Sequence, residues 1–270
     1  MLVDSHCHLN FIDLSLFENN LDKVIQASTE QGIEHFLSVC VELADFPTLC
    51  AIAERYQQVS ISVGVHPAHD DHAPEPTVAQ LSELAAYPRC VALGETGLDY
   101  YHIKTKEAQQ NQRQRFATHI QAARKVNKPL IIHTRDAAQD TLTVMRSERA
   151  ETVGGVMHCF SESWDIATKA MEMNFYISIS GIVTFKNAQS LRDVAQKIPL
   201  ERLLIETDSP YLAPVPYRGK PNHPALVKYV ALTLSELHQM SLEELARITT
   251  DNFYRCFKID AAPFKLRESI

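Results

Sequence analysis

No two of the six cysteines stand in a C-x-x-C pair: Cys7, Cys40, Cys50, Cys90, Cys159 and Cys256 are spread singly along the chain. That excludes a zinc knuckle and a dithiol redox motif. Several lie in apolar runs, where a reduced thiol serves as a small buried hydrophobe. Positive charge is also short, with 26 Lys and Arg against 33 Asp and Glu and a net charge of −7. A protein that coats nucleic acid through a broad basic face is thereby excluded, though not one that grips a few phosphates locally. No apolar run reaches the roughly 20 residues that cross a bilayer. The opening Met-Leu-Val-Asp-Ser-His has neither a basic nor an apolar leader region, so a reducing cytoplasm is the expected location. Internal repeats, low-complexity blocks and linkers are missing too, and one domain is expected.

What is present has the rhythm of strand and helix. Apolar runs rich in Val, Ile and Leu recur as Leu2–Leu9, His35–Val41, Ser60–His66, Cys90–Thr96, Pro129–Thr134, Gly155–Phe160, Phe175–Gly181 and Leu203–Thr207. Helical spacing of apolar residues lies between or after them, in Phe17–Glu30, Glu107–Val126, Leu191–Lys197, Leu226–Leu237 and Ser241–Cys256. Alternating strand and helix predicts a parallel sheet, and 270 residues suit one closed TIM-type (β/α)₈ barrel. An open dinucleotide-binding sheet needs a glycine-rich turn after its first strand. Here Asn10-Phe11-Ile12-Asp13-Leu14 follows, without glycine. The domain is expected over residues 1–260, with an irregular tail over 261–270.

Chemistry collects at the ends of these runs. In Asp4-Ser5-His6-Cys7-His8, His6 and His8 are two apart on a strand and share a face. They are either two hydrogen-bonded core histidines or a pair of ligands for one borderline divalent metal. Later runs end in Glu95, His133, His158 and Asp208. In a barrel all these ends meet on one face, where four imidazoles and two carboxylates would be costly to bury without a cation.

Around them stand residues with two readings each. His66 contacts substrate or makes a structural hydrogen bond. Arg135 forks a phosphate or pairs with Asp136 or a nearby helix. Asp99 is placed to orient a ligating histidine. Glu206 shares the parity of Asp208 and is a ligand or a support beneath the site. The loop carrying Arg218 and Lys220 handles phosphate or is merely charged. Tyr100 and Tyr101 stack on a base or cover a helix. His69-Asp70-Asp71-His72 reads as solvated surface, and Thr249–Phe253 as packing at the barrel base.

These motifs resemble the TatD family of metal-dependent deoxyribonucleases, within the amidohydrolase superfamily. The likeness runs from Asp4 to about Asp260. It is carried by D-S-H-C-H-L from Asp4, G-V-H-P from Gly64, G-E-T-G-L-D from Gly94, H-T-R-D from His133, H-C-F from His158 and E-T-D-S-P from Glu206. The resemblance implies two divalent ions (zinc, magnesium or manganese), the first held by His6, His8, Glu95 and Asp208. Glu95, His133 and His158 would hold the second, with Glu95 bridging and Asp208 accepting a proton. It implies hydrolysis of DNA phosphodiesters, trimming single strands from the 3′ end; on residue type and position, His66, Arg135 and Arg218 are the candidate substrate contacts. Two other readings remain at this point: a hydrolase of small amides, esters or phosphoesters on the same scaffold, and a metal-stabilised binding protein. No membrane and no obligate protein partner is expected.

Overall fold

Eight strands form where the sequence turns apolar, and they pair in chain order. β1 (Leu2–Cys7), β2 (Ile33–Ser38), β3 (Val59–Val63), β4 (Cys90–Asp99), β5 (Leu130–Arg135), β6 (Gly155–Met157), β7 (Phe175–Ile179) and β8 (Leu203–Ile205) each run parallel to the next. The last returns to the first: Cys7 bridges Ser209, His8 N–H donates to Ser209 O at 2.8 Å, and Asp208 N–H donates to His6 O at 2.9 Å. The sheet thus curls into a nearly closed barrel of the expected TIM type, a closure that removes free edges. The computed structural model describes residues 1–68 and 74–260. The expectations for His69–His72 and for the tail 261–270 lie outside the described residues.

Helices fill the crossovers: α1 (Leu21–Glu30), α2 (Phe46–Arg55), α3 (Val78–Leu84), α4 (Lys106–Val126), α5 (Ala138–Ser147), α6 (Trp164–Glu172), α7 (Gln189–Ala195), α8 (Val227–Leu237) and α9 (Leu242–Phe257). Their starts follow local chemistry. Asn20, Thr77, Thr105 and Ser241 cap α1, α3, α4 and α9 by accepting hydrogen bonds from N–H groups in the first turn, which satisfies donors that have no partner within the helix. Phe116, Ile120 and Ala123 of α4 are buried as their spacing predicts. Four crossover helices escape the periodicity reading, α2, α3, α5 and α6. Each has ten residues or fewer.

α9 decides which end of the barrel is open. Its Phe253, Tyr254 and Phe257 pack against Val3, Leu37, Ala92, Ile131, Val156 and Leu204. Burying an aromatic ring of this kind contributes about 1.5–3 kcal/mol. Asn252 Nδ2 donates to Leu200 O at 2.7 Å and Leu203 O at 2.9 Å, fixing the helix where β8 begins. Thr249–Phe253 therefore packs at the base, as its composition suggests, and the opposite end is left for chemistry.

Strand ends differ from the expected limits at that opposite end. β3 stops at Val63, β6 at Met157 and β8 at Ile205, short of His66, His158 and Asp208. The chain leaves the regular ladder there but stays pinned by single backbone bonds. His66 N–H donates to Val41 O at 2.8 Å, His158 N–H to Ile132 O at 3.0 Å and Glu206 N–H to Ile179 O at 3.1 Å. Side chains beyond the ladder can turn toward the barrel axis while their backbones remain fixed.

Candidate metal centre

Glu95 stands at the hub of the open end. It is carried on β4, where Gly94 lets the chain pass close to β5: at φ +141, a Cβ on Gly94 would lie 2.5 Å from Ile131 O, so no other residue fits. The two oxygens of Glu95 face different imidazoles. Oε2 lies 3.3 Å from His6 Nε2 and 3.9 Å from His8 Nε2. Oε1 lies 2.8 Å from His158 Nε2, 3.0 Å from His133 Nδ1 and 3.3 Å from His66 Nε2. Asp208 completes the first side, with Oδ1 3.5 Å from His8 Nε2 and 3.7 Å from His6 Nε2. All six side chains expected to converge do so, in the wall of a cavity of about 710 Å³ or just beneath it.

The donor set fits divalent cations. Ligand atoms fall within 4.8 Å of one another in three overlapping groups: His6, Glu95 and His158; His6, His8 and Asp208; His66, Glu95 and His133. His6 Nε2 and His8 Nε2 are 3.3 Å apart. Two nitrogens bound to one tetrahedral zinc at about 2.0–2.1 Å are separated by roughly that distance. His8 donates from Nδ1 to Val39 O at 3.1 Å, which leaves Nε2 as the free lone pair that a ligand needs.

Burial and mutual contact set the protonation of this cluster. For Glu95, burial opposes the charge, but His158, His66 and His133 beside it hold its carboxyl well below the usual range. For Asp208, burial again opposes, and His8, His158 and His6 prevail, so it too stays ionised. For His158, burial favours the neutral ring, yet Glu95 and Glu206 raise its pKa well above the usual value. Asp208 also sits at φ 55, a left-handed conformation that non-glycine residues adopt sparingly and that collects at functional sites.

Carboxylates behind the imidazoles hold them in place. Asp99, buried on β4, faces His133 Nε2 at 3.3 Å and His102 Nδ1 at 2.8 Å through one oxygen, Oδ2, which is the orienting contact expected of it. Glu206 resolves the other way from its parity: it stands outside all three donor groups. Its Oε1 faces His158 Nδ1 at 3.2 Å and accepts from Cys159 N–H at 2.8 Å. Asp4 was given no role by the sequence. It accepts from Thr207 N–H at 2.9 Å and from the Thr207 hydroxyl, tying β1 to the end of β8 beneath Asp208. Burial pushes its carboxyl up to about 8. Its equal spacing with His6 and His8 was the available signal.

The outer residues divide. His66 lies beside Glu95, nearer a ligand's position than a substrate contact's. It is held from behind by His119 on α4, whose Nε2 accepts from Val65 N–H at 3.0 Å. Arg135 lines the cavity, with its guanidinium 3.8 Å over the Tyr101 ring. Arg218 is not in the cavity wall; it stacks 4.1 Å over Phe185, because an exposed cation beside a ring gains from the ring's negative face. Lys220 lies 5.8 Å from the centre of the Tyr217 ring. Tyr100 bonds Asp140 at 2.7 Å and Arg113 at 2.6 Å, covering α4 and α5, whereas Tyr101 is exposed. No helix among the described residues is long and apolar enough to cross a membrane.

Comparison with known proteins agrees with this geometry. The sequence profile of the family described as TatD related DNase matches residues 3–258. The chain is 47% identical over 261 residues to the metal-dependent hydrolase YcfH of Escherichia coli K12, covering 97% of both chains. It is 42% identical to the metal-dependent hydrolase YabD of Bacillus subtilis, covering 96% of this chain and all of that one. In three dimensions it resembles the crystal structure of YjjV, a TatD homologue from Escherichia coli K12. That match has a TM-score of 0.87 at 27% identity, over 96% of this chain and 98% of the other.

Proposed function

Because the chain belongs to the TatD related DNase family and is a metal-dependent hydrolase, we propose that the bond it hydrolyses is the phosphodiester of DNA, removed stepwise from the 3′ end of single strands. The observation that carries this reading is the division of Glu95, whose two oxygens face two separate sets of imidazoles. A carboxylate so placed suits the bridge between two cations, zinc, magnesium or manganese. His6, His8 and Asp208 would share one with Glu95, and His133 and His158 the other. His66, on the same side as His133, would serve the second set or the substrate.

Cations held there supply two things, acidification of water and neutralisation of charge on phosphoryl oxygens during in-line displacement. The chain's own residues do the rest. Asp208, kept ionised by the histidines around it, accepts the proton of the attacking water. Asp99 and Glu206 fix the rings of His133 and His158, so their lone pairs stay aimed at the centre. Arg135, a guanidinium in the cavity wall, receives a neighbouring phosphate through its planar fork.

The test is an assay on end-labelled oligonucleotides after chelation and reloading with each metal in turn. A ladder shortening from the 3′ end supports the reading; turnover of small esters or amides alone, with DNA untouched, replaces it with the small-substrate hydrolase that the net charge of −7 would suit.

A further inference from the structure

Among the described residues, two of the three most exposed large rings stand at the mouth of the centre. Phe11 is 41% and Tyr211 56% exposed, and both line the cavity. Folding has no use for an aromatic face left in water, since burial is what such rings contribute. The rings flank His8, with centroids 6.0 Å and 6.1 Å from its own. Phe11 follows β1 and Tyr211 follows β8, so the platform stands over the seam of the barrel.

Their backbones are tied to the proposed ligands. Phe11 N–H donates to His8 O at 2.9 Å, and Tyr211 N–H to Asp208 O at 2.9 Å. Asn222, itself buried, donates to the carbonyls of Tyr211 and Thr207. The backbone of each ring residue is therefore tied to the reacting centre, so the rings pivot from anchored Cα atoms at its edge. On the β4 and β5 side of the mouth, Arg135 adds a guanidinium to the cavity wall.

We propose that Phe11 and Tyr211 form a base-stacking platform that seats a nucleobase next to the scissile phosphate and so selects strands whose bases are free of a duplex. The inference rests on the deoxyribonuclease reading for its ligand. It also answers a difficulty in that reading. A chain with net charge −7 lacks a broad basic face on which to neutralise many phosphates, whereas stacking on a ring does not depend on such a face and tolerates any base. A base paired in a duplex presents no free face.

The experiment measures binding by fluorescence anisotropy. The full-length protein, with calcium as the cation, is titrated into a labelled thymidine octamer and into an octamer of the same length built from abasic tetrahydrofuran residues, with strand integrity checked on a gel. The thymidine strand should bind more tightly. Phe11→Ala and Tyr211→Ala should each weaken it about 5- to 150-fold and leave binding of the abasic strand little changed, whereas Tyr211→Phe should bind both strands like the wild type. Leu16→Ala, an exposed apolar residue outside the cavity wall, serves as the control. Equal affinity of the wild type for both strands, no measurable binding of either, or equal weakening of both by the alanine variants overturns the platform. Cleavage without base-dependent binding would leave the nuclease reading standing and sink this one; base-dependent binding without cleavage would sink the nuclease reading and, with it, the platform's place beside a scissile phosphate.

Discussion

His158 is gripped from both sides: its Nδ1 lies 3.2 Å from Glu206 and its Nε2 2.8 Å from Glu95. Only one of those carboxylates can share a cation with it. Glu206 is fully buried and carries one oxygen, Oε2, without a hydrogen-bond partner, so the fold keeps a costly group there for the sake of the ring. Replacing Glu206 by Gln keeps the shape and an acceptor for Cys159 N–H but removes the charge behind His158. Metal affinity should fall about 10- to 100-fold, read by competition with a chromogenic chelator. Unchanged affinity in the folded variant would mean that Glu206 serves the backbone of Cys159 alone.

Asp208→Asn separates chemistry from structure. Asn tolerates the left-handed φ of 55 seen at this position, and the backbone bond to His6 O does not involve the side chain. Melting temperature in the presence of metal should move by only a few degrees. Turnover should drop by about 10² to 10⁴-fold, the usual contribution of a positioned proton acceptor. Steady-state kinetics on the substrate identified in the oligonucleotide assay gives the answer, and full activity would remove Asp208 from the reaction.

How much of this was legible beforehand depended on the range of the interaction involved. The parity of His6 and His8 and the placing of Glu95, His133, His158 and Asp208 at run ends are backbone properties, readable from spacing, and the barrel brings them together. Roles set by rotamer or by long-range contact were not readable. Glu206 has the parity of a ligand, yet its side chain turns under His158. His66 looks like a rim residue, but α4 supplies His119 to hold its loop inward. Arg218 has a phosphate-binding group, and its contact with Phe185, 33 positions earlier in the chain, is of a range that spacing does not reveal. α3, with seven residues, spans about two turns, which gives an apolar stripe few positions in which to repeat.

Metal binding should stabilise the whole barrel, because the proposed ligands come from strands spread around it. His6 is on β1, Glu95 on β4 and His133 on β5, while His158 and Asp208 follow β6 and β8. No such site exists in the unfolded chain, so cation at 100 times its Kd adds about 2.7 kcal/mol to unfolding free energy. Differential scanning of chelated and zinc- or manganese-loaded protein should show the melting temperature rising with metal concentration. Alanine at His133 should shrink that rise. A melting temperature indifferent to metal and to chelator would contradict a centre built from these strands.

A histidine outside the donor groups sets part of the acid limit. His119 is fully buried, donates from Nδ1 to Arg115 O at 2.8 Å and accepts Val65 N–H at Nε2. Protonation would set an N–H against an N–H, and burial pushes its pKa down to about 4 from an ordinary value near 6.5. The folded state thus keeps the ring neutral while the unfolded chain takes up a proton below about pH 6.5. The contribution is complete above that pH and is lost as pH falls toward about 4, a decrease in stability of about 2 kcal/mol between pH 7.5 and pH 5. His35, pushed by burial to about 3, adds a loss of the same sign. Urea unfolding at the two pH values should therefore show a smaller drop for His119→Gln than for the wild type. The difference between the two proteins cancels the titration of the metal-site histidines, which both share. An identical drop in both would mean that His119 does not titrate on unfolding.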